Sequence, residues 1–529
     1  MNEKEYIVSL NRNVDYDGFW EEMENISSGD NFVPSRRVDI VNNRDGSRRS
    51  CHYALTDSEA ELLRNDPRVY SVDIPPDQRT DIKIGLRGVQ RGDFSKTSSS
   101  SGSFINWGLK RLNSPTNIYG TDFTTTDNYN YVLDGTGVDV VIQDSGIEVY
   151  HPEFEDANGS NRVQLINWYT ESGLGGTQNA NHYRDYDGHG THVAGITVGK
   201  TFGWAKNSRI YSLKVRGLEG AGDTNTGIIV SDCFDVIKLW HRNKPIDPLT
   251  GFKRPTIVNM SWGYFLTYQQ ADLNSVTYRG NTYSDSSSLT NASYRWTNYG
   301  LPPLTDGTVY YTNFRIGSVD IDIQEMIDDG IHVIIAAGNQ YHKIDIPGGE
   351  DYNNYITVSG SNYAYHRGSS PLDDECLKVG SIDTSVVSAN EEQKVGSSET
   401  GPGVDLYACG ANVMSSCSNI NGQGGVAYSL DSGFKQVNIG GTSMAAPQVC
   451  GLAAIYLQMN PGTNPGQLKK WLINNSAKGL LYDTNGTDYT NIRSLLGGND
   501  RITFNPFGVD RDGNITGGIV LNNAALTLE

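Results

Sequence analysis

The chain has 529 residues, of which 37% are hydrophobic and 19% charged, and this balance indicates an ordered soluble protein of two or three folded units. Its formal net charge of −19 argues against nucleic acid or an anionic membrane surface as a partner, because an acidic surface repels phosphate groups. No apolar run approaches the ~20 residues that a membrane-spanning helix needs.

The first ten residues, MNEKEYIVSL, lack the charged and then apolar pattern of a secretory leader. We therefore expect an intracellular or virus-encoded protein rather than a secreted one. The six cysteines are scattered without a C-x-x-C pair, so zinc sites of the usual spacing are not expected. The expected compartment favours free thiols over disulfides.

Residues 1–77 are predicted to form a small α+β unit of their own. Strands are predicted in EYIVSL, RRVDIVNN, SCHYAL and RVYSVDI, and helices in DYDGFWEEMENI and TDSEAELLRND. Asn43-Arg44-Asp45-Gly46 supplies the turn between the two middle strands. The resulting order, β-α-β-β-α-β, is that of a ferredoxin-like split βαβ domain.

Residues 78–105 are predicted to be a flexible linker. They carry little periodicity, and Lys96-Thr97 is followed by a run of serines and a glycine. The stretch is also basic within an acidic protein. Exposed segments of this kind are preferred sites of proteolysis, so we expect a processing site here.

Residues 106–482 are predicted to form an α/β domain with a mostly parallel sheet flanked by helices. Buried strands are predicted in VDVVIQD, RIYSLKV, TIVNMSW, HVIIAAGN and CLKVGSI. Helical patterns lie between several of them, in GHGTHVAGITVG, TGIIVSDCFDVIKLW and SVDIDIQEMIDDG. In such sheets ligands bind at the carboxyl ends of the strands.

Two further segments depart from this alternation. Residues 264–316 hold eight tyrosines and are predicted to be an ordered insertion, either a wall or lid over the cleft or a surface decoration remote from it. Residues 483–529 are rich in Gly, Asn and Thr and are predicted to be a C-terminal extension of β character, to which we assign no chemistry.

Four residues in this domain form a candidate catalytic set. Asp144 ends an apolar strand, His189 begins a helical pattern, Asn339 ends another strand, and Ser443 follows glycines at the start of a helix of small residues. A serine hydroxyl needs an imidazole to take its proton, and the imidazole needs a buried carboxylate to orient it. The oxyanion that forms needs donors, here the Asn339 amide and the backbone N–H near Ser443.

Each of these residues alone has an ordinary structural explanation as a cap or turn residue. Their surroundings taken together do not, since DSGIEVYHPEF, DGHGTHVAG, NMSWG, AAGN and GTSMAAPQVCG resemble the signature blocks of the subtilase family of serine proteases. The chain order Asp, His, Ser is also that of subtilisin. The resemblance covers roughly residues 105–480, and in pattern it is closest to the proteinase K branch.

The resemblance implies roles for several residues. His189 would be the general base and His192 a structural neighbour, while Ser261-Trp262-Gly263 would bind substrate as an added β-strand. Asp405 would be a calcium ligand, assisted by carbonyls near Asp373 and Glu375, or else a plain capping residue. Calcium would be structural, and catalysis itself would require no metal or cofactor.

The N-terminal unit also has a counterpart in the family. ALTDSEAELLRNDPRVYSVDI is very similar to the end of an inhibitory propeptide, and NWGLKRLNS resembles a mature N-terminus. The resemblance implies that residues 1–77 inhibit the enzyme as its own propeptide. The alternative is an independent small domain with no catalytic role.

The sequence therefore predicts a serine endopeptidase that acts on protein or peptide substrates and is autoprocessed from a precursor. The alternative is a catalytically silent, protease-like structural or binding protein, although no member of the triad is missing. A lipase is disfavoured because it would require G-x-S-x-G, and a metalloprotease because no H-E-x-x-H occurs.

Overall fold

The computed structural model describes most of the chain, and the described residues are 3–24, 36–86, 90–91, 106–118, 129, 131–302, 309–388, 391–483, 489 and 491–508. Much of the predicted linker (87–89 and 92–105) and of the predicted C-terminal extension (509–529) lies outside the described residues. None of the helices among the described residues combines the length and the apolar character that crossing a bilayer requires.

The N-terminal segment folds as a four-stranded antiparallel sheet with two helices. Its elements are β1 (Lys4–Leu10), α1 (Tyr16–Glu24), β2 (Asp39–Asn42), β3 (Ser50–Leu55), α2 (Asp57–Arg64) and β4 (Val69–Asp73). The strand order is β2-β3-β1-β4, and both helices pack on the sheet in one apolar core of their own. Thr56 and Glu59 form a capping box that begins α2 at the predicted position.

Two short strands and a helical turn follow: β5 (Ile82–Leu86), β6 (Gln90–Arg91) and α3 (Gly108–Arg111). The next elements build one half of the central domain: β7 (Asp139–Asp144), α4 (Trp168–Ser172), α5 (His189–Val198), β8 (Arg209–Lys214), α6 (Val230–Asn243) and β9 (Thr256–Met260). Every strand predicted in this part from a buried apolar run is present.

An insertion of strands and short helices separates the two halves. Its elements are β10 (Trp262–Gln269), β11 (Leu273–Tyr278), β12 (Asn281–Tyr283), α7 (Ser286–Thr290), α8 (Ala292–Tyr299) and β13 (Val309–Asn313). Strand β10 runs on from the segment after β9 and pairs with both β13 and β5. The insertion therefore continues the strand that begins at Trp262.

The second half completes the domain. Its elements are α9 (Gly317–Asp328), β14 (His332–Ala336), β15 (Tyr355–Val358), β16 (Ser361–Ala364), β17 (Leu377–Ser388), β18 (Glu391–Lys394), β19 (Leu406–Cys409), β20 (Val413–Cys417), β21 (Val426–Tyr428), β22 (Asp431–Gly440), α10 (Thr442–Met459), α11 (Pro465–Asn474), β23 (Ala477–Lys478) and β24 (Arg501–Ile502).

The central sheet has the order β23-β24-β19-β17-β14-β9-β7-β8, and its pairs from β24 to β8 are parallel. Alternate residues of β7 face opposite sides: Val140 and Ile142 enter the core that holds α5 and α10, whereas Val141 enters the core that holds α6 and α9. The predicted α/β class, with helices covering both faces of a mostly parallel sheet, is confirmed.

Residues near the end of the described chain pair with one edge of the central sheet. Ile502 pairs in parallel with Tyr407, and the Asn505 N–H donates to Leu112 O over 2.5 Å. Ile502 and Phe507 also pack in the same core as α10. The first part of the predicted C-terminal extension is thus built into the main core. All six cysteines lie within the described residues and are buried, and none of them forms a disulfide.

Candidate active site

Asp144 is the last residue of β7 and lies at the carboxyl edge of the parallel sheet. Its side chain is fully buried. Its Oδ1 accepts the Ser145 N–H over 2.7 Å and faces Nδ1 of His189 at 2.8 Å. The carboxylate is therefore held by the chain and directed at one nitrogen of the imidazole.

His189 is the first residue of α5, and the residue after it explains how it comes so close to β7. A Cβ at Gly190 would collide with the carbonyl oxygen of Gly146 and would lie 3.2 Å from Cβ of Asp144. Only glycine allows this approach. Burial alone lowers the pKa of His189, but the Asp144 carboxylate outweighs it, so that the pKa is raised.

Ser443 lies in the first turn of α10, and its hydroxyl donates to the carbonyl oxygen of Ser261 over 3.2 Å. The Ser261 hydroxyl in turn donates to Ser443 O over 3.1 Å. Nε2 of His189 is buried and has no hydrogen-bond partner within the described part of the chain. It is the nitrogen opposite the one that faces Asp144, and so the one available to a hydroxyl.

Asn339 follows β14, so it emerges from the same edge of the sheet as Asp144. Its Oδ1 accepts the Thr442 N–H over 2.9 Å, and the Gly338 N–H donates to Oγ1 of Thr442 over 3.1 Å. These two bonds join the end of β14 to the start of α10. They also fix which end of the Asn339 amide carries its two N–H donors.

The predicted substrate strand is occupied by another part of the same chain. Strand β5 pairs antiparallel with β10, placing Gly85 opposite Gly263 and Leu86 opposite Trp262. The Trp262 indole is itself buried beside Tyr264. It is therefore the backbone of this strand, rather than the indole, that pairs with β5.

Strand β6 pairs with the segment that leads to Ser443. Gln90 and Arg91 of β6 pair with Gly440 and Ile439 of β22, three to four residues before Ser443. Strands β5 and β6 thus pair with β10 and β22, the strands that begin just after Ser261 and end just before Ser443.

The calcium prediction for Asp405 does not fit the residues around it. Oδ1 of Asp405 faces the ammonium of Lys469 at 2.9 Å, and Oδ2 accepts the backbone N–H of Lys378 over 2.8 Å. Calcium takes six to eight oxygen ligands at roughly 2.3–2.6 Å, and here a lysine ammonium occupies the position it would need. No group of three or more His, Cys, Asp or Glu within the described ranges could hold a metal ion.

His192 lies near the site but has a structural environment. It is fully buried, and its Nε2 lies 3.0 Å from Val413 O and 3.1 Å from Val437 O. Burial lowers its pKa to about 3, so it stays neutral.

Thr442 and Lys469 contribute to the contacts described above but were not predicted from the sequence. A threonine beside the serine and a lysine on a surface helix carry no signal of their own.

Comparison with known proteins supports one family. The subtilase family model matches residues 135–500. Alkaline serine exoprotease A of Vibrio alginolyticus is 24% identical over 433 residues, which are 82% of this chain and 56% of that protein. Subtilisin-like protease 5 of Arthroderma otae is 28% identical over 397 residues, 72% of this chain and 68% of that protein.

A solved structure supports the fold. Fervidolysin from Fervidobacterium pennivorans, described as a keratinolytic enzyme related to subtilisin, aligns with a TM-score of 0.51 at 16% identity. The alignment covers 97% of this chain and 61% of that chain. This chain accordingly spans little more than half the length of the exoprotease and about two thirds of the fungal protease.

The expectation of an intracellular or virus-encoded protein is wrong. The relatives are an exoprotease of a bacterium and subtilisin-like proteases of fungi. The expectation rested on the first ten residues alone. The folded part of a protein does not determine the compartment in which the protein acts.

Proposed function

The chain belongs to the subtilase family of serine proteases, and from this premise we propose that it is an endopeptidase that first cleaves its own chain. Ser443 would be the nucleophile, His189 the general base and Asp144 the residue that orients it. Asn339 would stabilise the oxyanion. Its substrates would be extended segments of proteins or peptides.

The proposed mechanism follows from the hydrogen-bond directions. Since Nδ1 of His189 donates to Asp144, Nε2 carries the lone pair and can accept the Ser443 proton when the hydroxyl turns from Ser261 O. The freed oxygen attacks the scissile carbonyl, and the charge moves to the carbonyl oxygen. The Asn339 amide and the Ser443 N–H would bind that oxyanion. His189 then gives this proton to the departing amine as the C–N bond breaks, which leaves the acyl group on Ser443. A water molecule, deprotonated by His189, would release that acyl group by the same route and restore the serine hydroxyl.

One observation carries the endopeptidase assignment: two internal strands of the chain pair with segments that lie next to the candidate nucleophile. Strand β5 lies along β10, and β6 lies along β22. Backbone pairing of an extended chain gives affinity without a strong demand on side chains. A cleft that holds residues before and after the reacting bond is suited to cutting within a chain rather than at its end.

We place the self-cleavage between Leu86 and Gln90, the stretch between the two paired strands. Because β5 and β6 belong to the same chain as Ser443, the reaction is intramolecular and needs no encounter with a second molecule. Full-length protein and the Ser443→Ala variant would be purified and their N-termini sequenced. Active protein should begin between residues 87 and 90, and the variant should remain full length.

A proline variant makes the test specific to the pairing. Gly85→Pro removes a backbone donor and fixes φ within β5, so it should slow self-cleavage at least tenfold. Gly102→Pro, which lies between β6 and α3 in sequence, should leave the rate unchanged. Equal cleavage of the full-length protein, Gly85→Pro and Gly102→Pro would assign the cut to another protease. Cleavage of Ser443→Ala in a clean extract would do the same.

The N-terminal unit is proposed to remain as an inhibitor after the cut, and its contact with α6 and α9 supports this. Arg44 is buried and donates to Oδ1 of Asp235 over 2.9 Å and to Oδ1 of Asp322 over 2.6 Å. Lys238 bridges Asp322 and Glu325 at 3.0 and 2.7 Å. Without Arg44, the carboxylates of Asp235, Asp322 and Glu325 would face the ammonium of Lys238 alone.

Backbone contacts extend the same interface. Oε1 of Glu325 accepts the N–H groups of Arg48 and Arg49 over 2.9 and 3.0 Å. The Ser318 N–H, at the start of α9, donates to Oδ2 of Asp73 over 3.1 Å. In each of these contacts an acidic side chain of one unit accepts hydrogen bonds from backbone N–H groups of the other unit. These groups lie in a loop or in the first turn of a helix. The arrangement fits an inhibitor that docks in a single orientation.

A further inference from the structure

The ammonium of Lys469 lies at the centre of a small cage of oxygens. Its Nζ donates to Asp374 O over 2.7 Å and to Cys376 O over 2.8 Å, and it faces Oδ1 of Asp405 at 2.9 Å. An ammonium has three N–H donors, and here three oxygens converge on it. Two of these are backbone carbonyls of the loop before β17, and the third belongs to the residue before β19.

Such a cage has the composition of a site for a hard cation. One carboxylate and two backbone carbonyls are the ligand types that calcium takes in proteins. The ammonium replaces the positive charge but needs fewer ligands and longer distances. The Lys469 and Asp405 side chains are 16% and 13% exposed, so the pair is largely withdrawn from water and less screened than a surface ion pair.

Helix α11 holds this lysine in position. Asn464 and Gln467 form a capping box at its start, with Pro465 as the first helical residue. Leu468 and Leu472 are buried against the main core, so the helix cannot rotate. The stem of Lys469 therefore leaves the helix at a fixed point and reaches the loop.

A second lysine supports the same loop. Lys378 donates from Nζ to Asp373 O over 3.0 Å and from its backbone N–H to Oδ2 of Asp405 over 2.8 Å. Burial lowers the pKa of Lys378, but the Asp405 carboxylate outweighs it and the pKa is raised. Both carboxylate oxygens of Asp405 and three carbonyls of the loop are thereby satisfied by groups of the chain itself.

We propose that Lys469 Nζ is a covalently attached substitute for a bound divalent cation, and that it makes this part of the fold independent of calcium. It joins three segments that are distant in sequence: the loop of residues 373–376, Asp405 and α11. Removing the ammonium should expose a vacant oxygen cage, so a protein that does not need calcium should become one that binds it.

The test uses full-length protein carrying Ser443→Ala, which prevents self-digestion. The melting temperature would be measured in EGTA and in millimolar calcium for this parent, for Lys469→Ala, and for Lys470→Ala as the matched control. Lys470 is the next residue on α11 and is exposed. The parent and Lys470→Ala should melt alike in both solutions. Lys469→Ala should melt about 3–8 °C lower in EGTA, because a largely buried carboxylate loses its partner.

Calcium decides between a substitute cation and an ordinary ion pair. Lys469→Ala should recover at least half of its loss in millimolar calcium, and Lys469→Ala combined with Asp405→Asn should recover none. Loss without recovery in Lys469→Ala, or a parent whose melting temperature falls in EGTA, would overturn the proposal.

A further variant keeps the test decisive if Lys469→Ala yields no folded protein. Asp405→Asn in the parent background should melt lower by the same amount in EGTA and in calcium. A stabilising response of the parent to calcium that Asp405→Asn abolishes would show a calcium site after all.

Discussion

The backbone N–H of Thr442 donates to Oδ1 of Asn339 over 2.9 Å, so the residue before the candidate nucleophile orients the candidate oxyanion donor. The two proposed catalytic groups are thereby positioned by a single contact between β14 and α10. This link makes the amide available to a charge that develops only during the reaction.

We therefore expect Asn339→Leu to lower kcat by about 10²–10³ with little change in KM. Steady-state kinetics on a peptide substrate would measure both constants. Thr442→Val, which keeps the backbone N–H but removes the acceptor for Gly338, should cause a smaller loss. A change that falls mainly on KM would show that Asn339 is only a turn residue.

The pH dependence of activity should report the pair of Asp144 and His189. Activity falls as His189 gains a proton, and the Asp144 carboxylate raises its pKa, so the acid limb lies higher than burial alone would place it. In Asp144→Asn the negative charge is gone. The limb should move to lower pH while the plateau falls by on the order of 10⁴.

Asp187→Asn is the matched control for this profile, because Asp187 also raises the pKa of His189 but as a lesser cause than Asp144. Its limb should move slightly in the same direction with the plateau retained. An Asp144→Asn profile with an unmoved acid limb would contradict the proposed coupling.

Inhibition by the N-terminal unit should depend on Arg44. A fragment of residues 1–86 with Arg44→Met should inhibit the mature enzyme about 10²–10³-fold more weakly, since it leaves buried carboxylates without their partner. The inhibition constant would be measured on a peptide substrate. Circular dichroism would confirm that the fragment is folded.

Arg12→Met is the matched control, because Arg12 faces Asp328 across the same interface at 3.5 Å and both side chains are about half exposed. Its inhibition constant should change by less than about threefold. Equal inhibition by Arg44→Met and the parent fragment would rule out Arg44 as the anchor.

Gly190→Ala should damage the site without replacing a proposed catalytic side chain. The added methyl group would meet Gly146 O and push α5 from β7, lengthening the contact of His189 with Asp144. We expect kcat to fall by about 10² or more and the melting temperature to fall with it. Gly175→Ala, where a Cβ meets nothing within 4 Å, should change neither. A normal kcat in Gly190→Ala would show that the close approach is not required.

The sequence predicts the central sheet well because its strands are buried on both faces and its helices carry periodic apolar residues. Strands β7, β9 and β14 lie where apolar runs were predicted to form them, and α5 begins at His189 as expected. Asp144, His189, Asn339 and Ser443 became candidates because their surroundings, taken together in chain order, resemble the signature blocks of the subtilase family.

The features that were not predicted from the sequence depend on contacts between segments that are far apart in the chain. Arg44 was predicted only as part of a turn, and its buried contacts exist because that turn docks on α6. Strand β5 lay in the linker predicted to be flexible, since its order comes from pairing with β10 and not from its own periodicity. The reach of Lys469 to a loop more than ninety residues away has no local signature at all.

The contacts of Ile502 and Asn505 with the central domain bear on the order in which the chain can fold. Tyr407 gains its parallel neighbour, and Leu112 its hydrogen bond, only when the chain has been made past residue 505. A ribosome-bound chain ending at Ser443 or shortly after it cannot assemble this edge. The last contacts of the central core therefore form after the segment that carries Ser443 has been made.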